Sequence, residues 1–391
     1  MKLLPHLFRK YVLNPFIDFI SDSKAVGIIL LVCTILSLVV ANSGFSANYI
    51  AFFNLKLPSF STTAIHLPST LLHAINDGLM AIFFLLAGME IKREISNGEL
   101  STKSQAILPV VAAFGGMLVP ATIFILINKG SIYINGWGIP MATDIAFSLG
   151  IAALLGSRMT TQLKVFLTAL AIIDDLGAIL AIALFYSAQI HWVYLAFSAV
   201  IILVFFILSR FKIFGIIQFI LAILLWYCFY NSGIHATIAG VVFALFIPVQ
   251  KLKNFEHKLH MPVNFLIIPL FALANTAIIF PEHIIGAITT TLSLGIVIGL
   301  LAGKPIGIFL ACFTAIKFKW SKLPHNTGWQ HIIGAGLLAG IGFTMSIFIA
   351  TLAFNDAASV DVSKISSLLG SFLSIIFGII WFRFFCKPLT S

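Results

Sequence analysis

Apolar stretches of about 20 residues recur along almost the whole chain, roughly twelve of them, separated by short polar connections. A stretch of that length, coiled as a helix, matches the thickness of the hydrocarbon core of a bilayer. With 60% hydrophobic and 9% charged residues among 391, and no polar stretch long enough to fold as a water-facing unit, one all-α polytopic membrane domain over 1–391 is expected. A soluble globular enzyme, a disordered chain and a disulfide scaffold are excluded. Cys33, Cys228, Cys312 and Cys386 are scattered through apolar runs, without C-x-x-C or zinc-ligand spacing.

The formal net charge of +10 reads as orientation in the bilayer, not as nucleic-acid binding. If the chain crosses twelve times with both termini on one side, 19 Lys and Arg fall on that side and only Lys56, Lys129 and Lys364 on the other. The basic side is the cytoplasmic one. Both termini are therefore expected in the cytoplasm, with 1–23 a cytoplasmic N-terminal segment that carries no cleavable signal peptide. The external connection 43–69 is longer than the others. Its alternation in Leu55-Lys56-Leu57 and Ser61-Thr62-Thr63 permits a small hairpin.

Most of the 13 acids fall in termini and connections, with Glu90 near a span end, but Asp77, Asp144, Asp174 and Asp175 stand inside apolar stretches, as does Lys304. A charge at the centre of a spanning helix costs about 2.5 to 3.5 kcal/mol, so Asp144, Asp174, Asp175 and Lys304 together cost about 10 kcal/mol if charged and unpaired. A cost of that size points to function.

Asp174 and Asp175 sit near the middle of the stretch 162–186. Neighbours on a helix point about 100° apart and cannot share one environment. One acid can face a water-filled cavity and take a cation through its oxygens while the other pairs with a buried base; the alternative is a pair that only fixes helix packing. Lys304, in Gly303-Lys304-Pro305, is too far from either span end to snorkel. Paired with Asp174 it would hold its proton only while the pair is intact, which makes the pair a proton carrier, a structural salt bridge, or both.

Asp144 follows Gly136, Gly138 and Pro140, which weaken and interrupt a helix, so the stretch 132–155 is expected to be broken at membrane depth. Unwound backbone is tolerated there only when buried in protein or lining a polar cavity. Thr143 and Asp144 would then stand beside exposed helix ends; the alternative is a proline kink with the acid turned to a loop. Gly334, Gly336, Gly340 and Gly342, followed by Phe343-Thr344-Met345-Ser346, suggest a second interruption, with close helix packing as the alternative.

Several motifs fall short. The run ending in Gly303-Lys304 lacks Walker A spacing, and Pro305 stands where a Ser or Thr would hold magnesium. Gly334, Gly336 and Gly340 miss the dinucleotide fingerprint by one residue. No ATP, NAD or other cofactor is implied. Glu256, His257 and His260 offer ligand types at helical spacing on a basic cytoplasmic loop, either as a solvated face or as a pH sensor.

Ala142-Thr143-Asp144-Ile145-Ala146-Phe147, the run 169–177, Ser232-Gly233-Ile234-His235-Ala236-Thr237, Leu270-Phe271-Ala272-Leu273-Ala274-Asn275, Gly303-Lys304-Pro305 and Gly340-Ile341-Gly342-Phe343-Thr344-Met345-Ser346 together resemble the NhaA family of bacterial sodium/proton antiporters. The resemblance runs in one order over 76–354. It implies a twelve-helix inner-membrane fold with inverted repeats, in which the fourth and eleventh helices are unwound and cross at the midplane. Thr143 and Asp144 match the first crossing, and Gly340, Gly342, Thr344 and Ser346 the second. Asp175 and Asp174 match the ion-binding pair, Lys304 the lysine that pairs with Asp174, and Asp144 a residue that tunes the site. Glu90, Arg93, Glu94, His235, Lys253, Glu256 and His257 match positions tied to pH response. The region 43–69 would be an external hairpin joining two protomers.

The function expected from these residues is electrogenic, pH-regulated export of sodium or lithium in exchange for protons, with the bilayer and a second protomer as partners. An intramembrane aspartyl protease also needs two carboxylates on neighbouring spans. Such enzymes resemble a pattern of Tyr-Asp followed by Gly-x-Gly-Asp, whereas here the acids stand in Thr143-Asp144 and Ile173-Asp174-Asp175. A proton-coupled symporter of a small solute is the other rival, separated by testing for sodium-dependent pH change without added solute.

Overall fold

The computed structural model describes residues 23–57, 66–98, 100–186 and 190–386. Most of the N-terminal segment 1–23 and all of Ser61-Thr62-Thr63 lie outside them. Among the described residues the chain is helical except for turns and one isolated antiparallel bridge, Lys56 to Thr70. Among the described residues eight helices are long and apolar enough to cross a membrane, and two sharply bent pairs raise the number to ten. This is a multi-span membrane protein.

In chain order the principal helices are α1 Ser23–Ala41, α2 Ser46–Phe53, α3 Leu71–Asn97, α4 Lys103–Ile127, α5 Ile145–Leu154, α6 Thr161–Phe185, α7 Trp192–Arg210, α8 Ile216–Ser232, α9 Ile238–Phe246, α10 Val249–Asn275, α11 Thr291–Lys317, α12 Trp329–Ala339, α13 Phe343–Ala353 and α14 Ala357–Phe385. The apolar stretch 233–249 yields only the short α9. Lys92 offers its ammonium to the carbonyls of Leu245 and Ile247 at 2.7 and 2.5 Å at the C-terminal end of that helix, where free carbonyls and the helix dipole favour a cation.

Lipid-facing and protein-facing sides separate cleanly. On α7, Val193, Phe197, Val200, Leu203 and Phe206 are all exposed at helical spacing, a stripe that would cause aggregation in water and is ordinary against hydrocarbon. The inner helices pack far closer. A β carbon added at Gly115 on α4 would lie 2.3 Å from the Gly307 carbonyl oxygen on α11, and one at Gly307 would lie 2.1 Å from the Gly115 oxygen. Two backbones touch there because neither residue carries a side chain.

Within α11 the turn Gly299–Gly303 widens to π geometry immediately before Lys304 and Pro305. Proline has no N–H, and its ring clashes with the carbonyl four residues back, so a wider turn accommodates it. The cost of that irregular turn sits beside the buried lysine.

Two segments interrupt the helical pattern in the interior. The first runs as a 3-10 helix, Ile134–Met141, then through extended Ala142 and Asp144 into α5. The second is the gap between α12 and α13 at Gly340, Ile341 and Gly342, where the chain bends by 49°. They meet: the Asp144 N–H donates to the Ile341 carbonyl at 2.7 Å.

Candidate functional site

Helix ends buried in hydrocarbon leave backbone donors and acceptors that must find partners inside the protein. Here each interruption supplies them to the other. Thr143 Oγ1 lies 2.9 Å from the Ala339 carbonyl oxygen, Ser148 Oγ donates to Leu338 O at 2.8 Å, and Ser346 Oγ donates to Ile139 O at 2.8 Å. Asp144 caps α5 by accepting the Phe147 N–H at 3.0 Å on Oδ1, while its Oδ2 accepts the Thr344 N–H at 3.1 Å and the Thr344 hydroxyl. Asp144 is thus a helix cap shared by both half-helices, in agreement with the preference of aspartate for that position.

Against this crossing packs the middle of α6. Asp174 and Lys304 are both fully buried and form an ion pair through Asp174 Oδ2. Thr143 joins it: its hydroxyl lies 2.7 Å from Asp174 Oδ2 and accepts from Lys304 Nζ at 2.8 Å. A threonine hydroxyl has one proton, so it donates to Asp174 or to the Ala339 carbonyl, and to only one at a time. A buried ion pair offsets its desolvation only when its remaining oxygens and protons are also bonded. Asp174 Oδ1 has no hydrogen-bond partner among the described residues, so this pair is incompletely satisfied.

Asp175 points elsewhere. It is buried, its Oδ1 likewise has no partner among the described residues, and it lines a cavity of about 210 Å³ together with Asp144, Thr344, Glu90, Arg93 and His260. The 100° between neighbouring side chains puts one acid on the lysine and the other on the cavity. Around that cavity stand carboxylate and hydroxyl oxygens, the donor type suited to hard cations such as the alkali metals.

The outer part of the cavity carries a charged cluster. Arg93 pairs with Glu256 and, at 2.9 Å, with Glu94. Glu256 comes from α10 and is buried; the segment read as a basic cytoplasmic loop is a helix that turns this acid inward and keeps Lys253 and His257 exposed. Glu90 lines the cavity one turn further in. His235 is not part of this group. Its ring bonds the Tyr186 carbonyl at 2.8 Å and lines a separate cavity with Asp77.

Sequence reasoning passed over Asn264, which lines the first cavity, and Asn76, whose amide exchanges hydrogen bonds of 2.7 and 3.3 Å with Asn275. Ser148 and the carbonyls of Leu338 and Ala339 were also unmarked. A polar residue in an apolar stretch was the available signal for the side chains; nothing in sequence marks a carbonyl.

A sequence profile of the family described as Na+/H+ antiporter 1 matches residues 17–382. Among curated proteins, the chain is 47% identical over 370 residues to Na(+)/H(+) antiporter NhaA 2 of Flavobacterium johnsoniae, covering 93% of this chain and 90% of the relative. It is 46% identical over 382 residues to Na(+)/H(+) antiporter NhaA of Cytophaga hutchinsonii, covering 96% of each. It is 44% identical over 384 residues to Na(+)/H(+) antiporter NhaA 2 of Clostridium beijerinckii, covering 95% of each.

Proposed function

The chain belongs to the Na+/H+ antiporter 1 family, and on that premise we propose that it is an electrogenic secondary transporter exporting sodium or lithium in exchange for protons. The observation that carries the reading is the division of labour between adjacent acids: Asp174 bonds the buried Lys304, whereas Asp175 faces a cavity with an oxygen that has no partner among the described residues.

In this mechanism a cation entering the cavity is taken by Asp175 and draws on Asp174. As Asp174 turns to the cation, Lys304 loses its counter-charge in a fully buried position and releases its proton, because an unpaired ammonium there is too costly to keep. Thr143, bonded to both partners, holds whichever is left, and its hydroxyl can swing to the Ala339 carbonyl. Asp144 keeps the two half-helices in register and adds negative potential without leaving its caps. Cation and proton thus compete for one site, and the crossing half-helices expose that site to one face and then the other. If more protons enter than cations leave, each cycle carries charge inward, and about 2.3 kcal/mol per charge per 100 mV of membrane potential becomes available for export.

The location that fits is the bacterial inner membrane with both termini cytoplasmic, which places the cavity of Arg93 and His260 on the cytoplasmic side. The cluster of Glu90, Arg93, Glu94 and Glu256 at its mouth is suited to pH regulation, since protonating any member redistributes charge where the cation enters; Lys253, His257 and His235 belong to the same reading at a distance. The connection 43–69 begins with helix α2, and only its later part is bridged, with Leu57 N bonded to Ser69 O at 3.1 Å; that later part suits a hairpin that joins two protomers.

Calorimetry on purified protein tests the coupling: sodium binding is expected to release protons, and Asp175→Asn to abolish that release. Sodium uptake without proton release would remove the antiport reading, and normal release by Asp175→Asn would remove the site assignment.

A further inference from the structure

Beyond the acids, the far end of α6 is held by a residue with no part in cation binding. Tyr186 follows the last residue of α6, and its hydroxyl is used twice. It donates to the Asn135 carbonyl at 2.8 Å and accepts the Gly138 N–H at 3.0 Å. Both partners belong to the 3-10 helix Ile134–Met141, the arm that leads directly into Thr143 and Asp144. Trp137 of the same arm stacks on the Tyr186 ring, with centroids 6.0 Å apart and planes 27° from parallel, and meets Phe185 edge-on at 5.1 Å. The backbone of Tyr186 is tied as well, because its carbonyl accepts from His235 Nε2 at 2.8 Å. The approach is close enough to need glycine: a β carbon at residue 138 would lie 2.6 Å from the phenol oxygen.

This knot lies next to the second cavity, of about 650 Å³, which His235 lines with Asp77, His66, His191 and Asn231. Asp77 is near the start of α3 and Arg93 near its end, so the two cavities open at opposite ends of that helix. Of these two cavities Asp175 lines the one on the Arg93 side, and neither Asp174 nor Asp175 lines the second. The conformation is therefore open toward one face and closed toward the other, and the 3-10 arm on the closed side is fastened to α6 by the Tyr186 hydroxyl.

We propose that Tyr186 is a positioning residue whose hydroxyl latches the 3-10 arm to the end of α6, keeping the cation site closed toward the second cavity, and that this latch opens when the site turns to that face. The proposal rests on the antiport reading above. While both bonds hold, the arm cannot move away from α6 without breaking the two hydrogen bonds of one hydroxyl together. Removing them weakens the present conformation relative to the opposite one, and a site is bound from a given face only by the fraction of molecules open to that face.

The test measures half-saturating sodium for proton exchange in right-side-out and everted vesicles, so that each face is titrated separately. Tyr186→Phe is expected to raise the constant at the face of the Asp175 cavity by about threefold or more and to lower it at the opposite face, as a shift in population requires. A role in stability alone would move neither constant or both together, and either result overturns the latch. Gly138→Ala provides a second variant, since its methyl group displaces the hydroxyl. It should shift both constants as Tyr186→Phe does, with a smaller added effect in the Tyr186→Phe background, because residues in contact are not additive; full additivity overturns the contact as the cause. Absence of sodium-dependent proton movement in the unaltered protein would defeat the antiport reading itself, whereas normal exchange with unmoved constants defeats the latch only.

Discussion

Ser148 and Ser346 occupy reciprocal positions at the crossing: each lies in the first turn of the half-helix that follows one interruption and donates, at 2.8 Å, to a carbonyl of the half-helix that precedes the other. The relation ties the two breaks into one unit in which neither can be rewound without leaving the other short of a donor. Such mutual completion explains how unwound backbone persists at the depth of the buried Asp174 and Lys304 pair, where hydrocarbon offers no partner to replace a lost bond.

Ser148→Ala and Ser346→Ala are therefore expected to lower stability by about 1 to 3 kcal/mol each, the cost of leaving a buried hydrogen-bond partner behind. Thermal unfolding in detergent reads this directly. Melting unchanged in both variants would mean that the crossing is held by packing alone.

A second prediction concerns the ion pair of Asp174 with Lys304. Removing one member of a buried pair strands the other, at a cost of about 3 to 5 kcal/mol, whereas replacing both by neutral groups of similar size is far better tolerated. Asp174→Asn and Lys304→Met should each destabilise the protein strongly, and the double variant should melt above either single one. Additive losses would show that the two side chains contribute independently.

How much of this was legible in sequence follows from the range over which each signal acts. Spans are local, and the length of apolar runs marks them. Pro140 and the glycines around it also act locally, so the interruption before Asp144 could be anticipated at that residue. The pairing of Thr143 with the Ala339 carbonyl joins residues 196 apart, and no local pattern encodes it; only the resemblance to a known family brought those segments together. Glu256 shows the opposite failure. Its neighbours Lys253, His257 and Lys258 leave a solvated face and a pH sensor as alternative readings of the sequence, and the buried face of α10 follows from Arg93 standing opposite Glu256. Tyr186, a single aromatic residue at the end of a span, has the appearance of an ordinary interfacial tyrosine, and its hydroxyl's two bonds depend entirely on how the 3-10 helix folds back.

The same Arg93 and Glu256 contact yields a third prediction. Glu256 neutralises an arginine that lines the cavity mouth and is partly exposed, with 42% of its side chain accessible. Glu256→Gln leaves that positive charge less compensated where cations enter. Half-saturating sodium should rise a few-fold, and more at low than at high ionic strength, because exposed charges are screened by salt. Equal effects at both ionic strengths would argue for a change of shape instead of charge.

The start of α14 offers a prediction outside the membrane span. Asp356 caps that helix by accepting the Ser359 N–H at 2.8 Å, and hydrogen bonds from the Ser359 side chain and backbone hold its carboxyl below the usual aspartate range. The sign follows: a depressed carboxyl contributes stability above its unfolded value and loses that contribution as pH falls through the folded one. Asp356→Ala should lower the melting temperature near neutral pH, and the difference from the unaltered protein should shrink in strong acid. A difference that stays constant with pH would assign the effect to something other than the charged cap.

Competition at Asp175 leads to a pH law for transport. If a proton and a cation exclude one another from the same carboxylate, protonation reduces the fraction of sites able to take sodium without altering a site once filled. Half-saturating sodium on the face of the Asp175 cavity should therefore fall about tenfold for each unit of rising pH where Asp175 alone gives up a proton, and more steeply where Lys304 releases one as well, since 1.36 kcal/mol corresponds to one pH unit for each proton displaced. The maximal rate at saturating sodium should stay level across that range and decline only at higher pH, where too few protons remain to load the site for the return step. Asp175→Asn cannot bind the competing proton at that position, so any residual exchange should lose the steep dependence. Sodium titrations at a series of pH values, with both faces buffered, separate the cases: a maximal rate rising with pH at constant half-saturation would place the pH dependence outside the binding site.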